Sequence, residues 1–470
     1  MKRAMAAKKP KRRQTFEDKK PVLRCLNTGN LSPYQKFQRS IGSTLAFDPN
    51  IKRIYPQQMT DTEAFINLIK CAFGTGCLAM PRAYYNAGWL MGIISTVLIS
   101  SFIVYAMHVL LSDINQLCRR YGMSLLSYSE AMELAIMNGP IWLHPYHKPF
   151  AFMVDVFLCV YHFGVDCVYI VFIAKNMKLL GDIYLTPIDM RIYMALLTLP
   201  LLLTYLIRDL KYLVPLALLS NVLLTISIII LLTFIFDDLP SLEEREAIQS
   251  LSQYPLFFGT VLFAIESVGV ILALERNMMH PEHYLGTFGV LNRAMFVVVV
   301  FYTLFGLFGY WQYGEDISSS ILNNLSTDDI LPQCIMAMFA MGIFFSYALQ
   351  GYVTMDIIWT HYIEPQIQEN AKYSLEVLVR MAVVVASVLC AIGYPNFGLL
   401  LSFVGSFCLA QLGLIYPGII DLCLWYEQGY GRGNYLLWRS VLFIVVGLCG
   451  GIAGTVVSLR SMIDQYNTRR

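Results

Sequence analysis

The run Phe65-Ile66-Asn67-Leu68-Ile69-Lys70-Cys71-Ala72-Phe73-Gly74-Thr75-Gly76-Cys77-Leu78-Ala79-Met80-Pro81-Arg82-Ala83-Tyr84-Tyr85-Asn86-Ala87-Gly88 decides how the rest of the chain is read. It is long and apolar enough to enter a bilayer, whose core takes about 20 helical residues. Yet Gly74-Thr75-Gly76 sits in its middle and Pro81 follows. Glycine costs about 1 kcal/mol in a helix interior and proline about 3, so a break is expected at the glycines. In hydrocarbon, each stranded amide or carbonyl costs several kcal/mol unless it lines a cavity or meets a ligand. Secondary transporters use such breaks, aiming half-helix N-termini at anionic groups and unwound carbonyls at cations. Membrane glycines also serve close helix packing, and the sequence alone leaves both readings open.

Composition places this stretch among many like it. The 470 residues are 57% hydrophobic and 14% charged, against about 25% charged in soluble domains. Mean hydropathy is +0.56, so a polytopic membrane protein is expected. The formal net charge of +2 is small, but its distribution is uneven: the first 53 residues hold 14 Lys and Arg and no long apolar run. Residues 1–60 are expected to be a disordered, basic, cytoplasmic tail, with 61–462 the membrane domain and 463–470 a short C-terminal tail. A basic run also suits nuclear localisation or nucleic-acid binding, but the many spans behind it argue against nucleic acid as a partner. The charged start lacks the adjacent apolar core and cleavage site of a signal peptide. The eleven cysteines fall mostly in apolar runs and show no metal-ligand spacing, so no metal or other cofactor is expected.

Hydrophobic runs fall at 63–85, 89–117, 149–176, 188–206, 211–236, 254–276, 288–313, 332–359, 376–394, 397–420 and 439–460. That predicts eleven transmembrane helices. With the N-terminus inside, the connections that hold Arg119, Arg120 and Lys148, then Arg208 and Lys211, then Arg276 and Arg293 are cytoplasmic. The loop Asp237-Asp238 to Glu243-Glu244-Arg245-Glu246 is acidic and falls outside, which agrees with the positive-inside bias. The same topology puts the glycosylation pattern Asn324-Leu325-Ser326 outside, making Asn324 an acceptor candidate, whereas Asn30-Leu31-Ser32 is cytoplasmic and expected to be unused.

A second span carries its own interruption. Within Phe257 to Glu275, Glu266 lies mid-span with Ser267 and Gly269 just beyond. A carboxylate at the bilayer centre costs at least about 2.5 kcal/mol, so function is its default reading, with a structural hydrogen bond to a neighbouring helix as the alternative. The interrupted segments are the first and sixth of eleven, the starts of two five-span halves if the last is an addition. Interruptions at corresponding places in two halves mark a transporter's binding site. An odd number of spans per half also inverts the second half relative to the first.

At these residues the chain resembles the proton-coupled amino-acid transporters of the amino acid/auxin permease superfamily. Its first span carries that family's Lys70, Gly74-Thr75-Gly76, Pro81 and Asn86-Ala87-Gly88 in order. Phe257-Phe258-Gly259-Thr260 with Phe263, Glu266, Ser267, Gly269 and Leu274-Glu275 is similar to its sixth, and Gly342 to Gln350 to its eighth. The resemblance runs from about Asp61 to the last span. It implies the fold of the bacterial leucine transporter: all-α, with a 5+5 inverted repeat plus one extra helix. It also implies that the backbone around Gly74, Thr75 and Gly76 takes an amino acid's carboxylate. Carbonyls near Phe263, Ala264 and Glu266 would take its ammonium, with Ser267 and Tyr347 as further substrate-binding candidates.

The chain also departs from the family. The histidine near the start of the family's second span, implicated in proton coupling, falls on Tyr105. His108, one turn on and on roughly the same face, either substitutes for it or hydrogen-bonds between helices. The family's extracellular disulfide lacks support, since residues 176–189 hold no cysteine and Cys334 has no evident partner. In the third span, Asp155, His162, Asp166 and Tyr169 fall at spacings that share one helix face. Such a stripe either relays protons or forms a structural hydrogen-bonded cluster. Candidate coupling groups are therefore Glu266, His108, Asp155, His162 and Asp166.

The expected activity is secondary transport of small neutral amino acids, coupled to protons, in a plasma or endosomal/lysosomal membrane. Two rivals stand beside it: sodium coupling, and a sensor that binds an amino acid and signals through cytoplasmic partners with little flux. No nucleophile constellation, Walker loop or metal motif supports an enzyme.

Overall fold

The computed structural model describes residues 59–468, apart from Phe73, Asp209, Asp238, Glu266 and Ser267. The proposed basic tail thus lies almost wholly outside the described residues. Fifteen α-helices are described: α1 (Asp61–Ala72), α2 (Thr75–Ala87), α3 (Trp89–Tyr121), α4 (Tyr128–Asn138), α5 (His147–Tyr184), α6 (Met190–Tyr205), α7 (Leu210–Ile235) and α8 (Tyr254–Ile265), then α9 (Val268–Asn277), α10 (Val290–Tyr313), α11 (Ile330–Met355), α12 (Glu369–Gly393), α13 (Phe397–Val404), α14 (Tyr416–Leu424) and α15 (Tyr435–Thr468). Their ends follow local chemistry. Ser127 and Glu130 close a capping box at the start of α4, and Gly122 ends α3 at φ +64°, a backbone conformation that glycine adopts without strain.

The described residues of the eleven apolar runs are mostly helical. Among the described residues nine stretches are long and apolar enough to cross a membrane, and the bent pair α1–α2 would make a tenth. The fourth run is the exception to the sequence count. Helix α6 has 16 residues, about 24 Å at about 1.5 Å per residue, against a hydrocarbon core of about 30 Å. The C-terminal boundary also shifts. Helix α15 runs through Thr468, because Gln465 Oε1 accepts from Tyr394 Oη (3.0 Å) and Asn396 Nδ2 (2.7 Å) and ties the expected tail to the helix bundle.

Helix α5 is the hub, packing against α4, α6, α11, α12 and α13, while α8 packs against α2, α13 and α15. Between α13 and α14 the chain runs as two π-helical stretches, Gly405–Leu409 and Gln411–Ile415. A methyl group on Gly405 would come within 2.0 Å of the Gly259 carbonyl oxygen, so only glycine lets this segment seat on α8. At the other edge the described chain begins pinned: Met59 N donates to Asn277 O (2.9 Å) and Met279 N to Met59 O (2.8 Å).

Several charges inside the bundle are paired. Asp421 of α14, fully buried, accepts from Arg439 Nη2 (2.6 Å), Arg439 Nε (3.2 Å) and Ser440 Oγ (2.6 Å) of α15. Glu376 of α12 accepts from Arg208 and Arg380, and Arg380 Nη1 also reaches Tyr205 O at 2.9 Å. Removing one partner of a buried ion pair typically costs about 3–5 kcal/mol, because the other charge is left uncompensated. Arg439→Met should therefore lower the melting temperature of the detergent-solubilised protein clearly, and the double change Arg439→Met with Asp421→Asn should recover part of that loss.

Candidate functional site

The break expected in the first apolar run is present: α1 and α2 meet at an angle of 53°. Helix α2 opens on Gly74, whose backbone is extended (φ −135°, ψ −161°) and which offers no side-chain cap. Cys77 N bonds back to Gly74 O at 3.2 Å. The first amides of a helix have no acceptor within it, and Gly74 supplies none from a side chain. Apart from its chain neighbours, no atom of the described residues lies within 4 Å of where a Gly74 Cβ would stand. A helix start without a side-chain cap is therefore set at the middle of an apolar segment.

Against this start lies α8. A methyl on Gly76 would fall 2.7 Å from Ala264 Cα and 3.2 Å from Ala264 Cβ, so the two backbones touch here. Phe263 and Ala264 are buried, and α8 is described to Ile265 and α9 from Val268. Glu266 and Ser267 lie outside the described residues, and with them the break expected in the sixth run. A helix start carries about half a positive charge and a helix end about half a negative one. The positive end of α2 thus lies against the α8 backbone at Ala264, where it can receive an anionic group.

The stripe on α5 divides among different neighbours. His162 Nδ1 pairs with Gln350 Oε1 of α11 at 2.8 Å. Among the described residues its Nε2 has no hydrogen-bond partner, and a methyl on Gly269 of α9 would stand 3.9 Å from it. His162 therefore lies beside the first turn of α9. Asp155 Oδ2 accepts from Tyr362 Oη at 2.7 Å. Asp166 is fully buried, and among the described residues both its carboxylate oxygens are unpartnered. These bonds run from α5 to other elements rather than between members of the stripe, so the mutual cluster read from the spacing is replaced by separate contacts.

Other candidates are placed elsewhere. Tyr347 is fully buried, with its hydroxyl 2.9 Å from Ser387 Oγ of α12 and its ring 5.9 Å from that of Tyr205, which directs it toward α12 and α6. The ring of His108 faces the connection between α9 and α10, where its Nε2 accepts from Gly286 N at 3.2 Å. Tyr105 packs on Phe443 of α15 and reaches Arg439 Nη1 at 3.4 Å. At Asn324 both amide atoms are engaged, Oδ1 by Ser318 N and Nδ2 with Asp316 O, each at 2.8 Å. Gln350 has no role in the sequence reading. An amide three residues beyond Tyr347 in an apolar run is the signal that points to it.

A multi-pass helical membrane protein with an interrupted first crossing is the class that fold and site define. The sequence profile described as "Transmembrane amino acid transporter protein" matches residues 57–460, and the chain belongs to that family. It is 31% identical over 425 residues to the "Proton-coupled amino acid transporter-like protein pathetic" of Drosophila melanogaster, covering 90% of this chain and 89% of the relative. It is 23% identical over 421 residues to the "Probable amino acid transporter skat-1" of Caenorhabditis elegans, covering 87% and 91%. The chain is thus an integral membrane protein of a transporter family and not an enzyme.

The two glycines should respond differently to a methyl group. Gly76→Ala forces α2 off the Ala264 backbone and should lower the melting temperature, whereas Gly74→Ala, with space beside it, should leave the stability within about 0.5 kcal/mol of wild type. Thermal unfolding of the two variants in detergent checks the contrast.

Proposed function

We propose that this chain is a secondary active transporter of small neutral amino acids that couples uptake to protons by alternating access. The observation that carries this reading is the uncapped start of α2 at Gly74, which no described residue's atom beyond its chain neighbours approaches, with Gly76, two residues on, against the α8 backbone at Ala264. Bared main chain at membrane depth is tolerated only where ligand or water meets it. Membership of the family and the printed name of the Drosophila relative support amino acids and protons as the transported species. The basic start of the chain and the acidic 237–246 loop support a cytoplasmic N-terminus.

One proton is enough energetically. A potential of 100 mV contributes about 2.3 kcal/mol per charge and one pH unit about 1.36. Together they support accumulation of several hundred-fold, at about 1.4 kcal/mol per decade.

The deciding experiment is uptake of a panel of amino acids by proteoliposomes, with proton and sodium gradients imposed separately. Small neutral substrates should accumulate under the proton gradient alone. Accumulation that requires sodium would overturn the coupling, and ligand-dependent stabilisation without flux would favour a sensor. Gly74→Leu should fold yet lose uptake by at least about tenfold, because its side chain fills the approach to the α2 amides.

A further inference from the structure

Asp166 stands at the midpoint of α5, which runs from His147 to Tyr184. Its side chain is fully buried, and among the described residues neither carboxylate oxygen has a hydrogen-bond partner. Asp113 of α3 likewise has an oxygen without a described partner, but three other buried acids are paired. Asp421 has Arg439 and Ser440, Glu376 has Arg208 and Arg380, and Asp155 has Tyr362. An ionised carboxylate with neither counter-charge nor hydrogen bond costs far more than a bundle of marginal stability tolerates. The conformation described here therefore calls for a cation on Asp166.

The surroundings indicate which cation. The ionisable groups that face Asp166 are Tyr205 of α6, Tyr347 of α11, and Tyr169 and Cys167 on its own helix. From α12, Cys390 faces Cys167, while Arg380 is turned to Glu376 and Tyr205 O. From α4, Glu133 is turned to His147. His162, one turn below on α5, is turned to Gln350. A hard metal cation gathers several oxygen ligands, but the nearby hydroxyls are committed. Tyr205 Oη donates to Gly351 O (3.1 Å), and Tyr347 Oη and Ser387 Oγ share a bond at 2.9 Å while Ser387 Oγ also donates to Val384 O (2.8 Å). A proton needs one oxygen only. We infer that Asp166 is the residue that carries the coupled proton, bound in this closed state and exchanged with water when α5 parts from α6 and α11. The inference rests on the transport reading above and places the coupling group away from the α2–α8 junction.

The test uses the full chain in proteoliposomes with radiolabelled alanine. Under an inward gradient of two pH units, one proton per substrate permits accumulation of about 100-fold. In Asp166→Asn that ratio should fall to about 1, while alanine–alanine exchange, which needs no net proton movement, persists. Asp166→Glu should restore accumulation with a displaced pH profile. Accumulation in Asp166→Asn equal to wild type would overturn the inference, as would wild-type accumulation that follows a sodium gradient and is lost in the same variant. If Asp166→Asn does not fold, Asp166→Glu decides: an unchanged pH profile overturns the assignment. A wild-type protein that neither accumulates nor exchanges any amino acid would instead sink the transport reading itself.

Discussion

Hydrocarbon offers no hydrogen-bond partners, so every main-chain amide and carbonyl in a crossing segment must be satisfied by the helix itself or by something that enters. This constraint gives the junction of α2 and α8 its meaning. At Gly74 the helix starts without a side chain to cap its first amides, and no described residue beyond its chain neighbours crowds it. Close packing holds the arrangement in place. Gly76 rests on Ala264, and Gly405 rests on the Gly259 carbonyl further along the same helix. Helix α8 is thus gripped on two sides by glycine contacts, which fix it against the start of α2.

Buried polar groups in this bundle fall into two kinds. One kind is saturated: the Asp421–Arg439–Ser440 set joins α14 to α15, Arg380 joins α12 to the end of α6, and Tyr128 Oη reaches Leu412 O at 2.5 Å. Such groups fasten helices together and leave no valence for a ligand. The other kind has no described partner and is spread over several helices, among them the Asp166 carboxylate and His162 Nε2 on α5 and Thr354 Oγ1 on α11. Helices α5 and α11 pack directly on one another.

The departures from the family's pattern in α3 fit that division. Tyr105 is spent on Arg439 and Phe443, and His108 on the backbone of Gly286. Neither of these bonds is made to the α2–α8 junction.

Hydropathy alone located the helices, because a bilayer demands a long apolar run of any segment that crosses it. The weak point at Gly74-Thr75-Gly76 was equally legible, since glycine's helix penalty is local and needs no neighbour. The spacing of Asp155, His162, Asp166 and Tyr169 showed that they share a face, for the same reason of helix period. Which groups that face meets was decided only by tertiary packing: Tyr362 for Asp155, Gln350 for His162 and no described partner for Asp166. Periodicity fixes the direction of a side chain about its own axis, whereas its partner depends on the height and tilt of another helix hundreds of residues away.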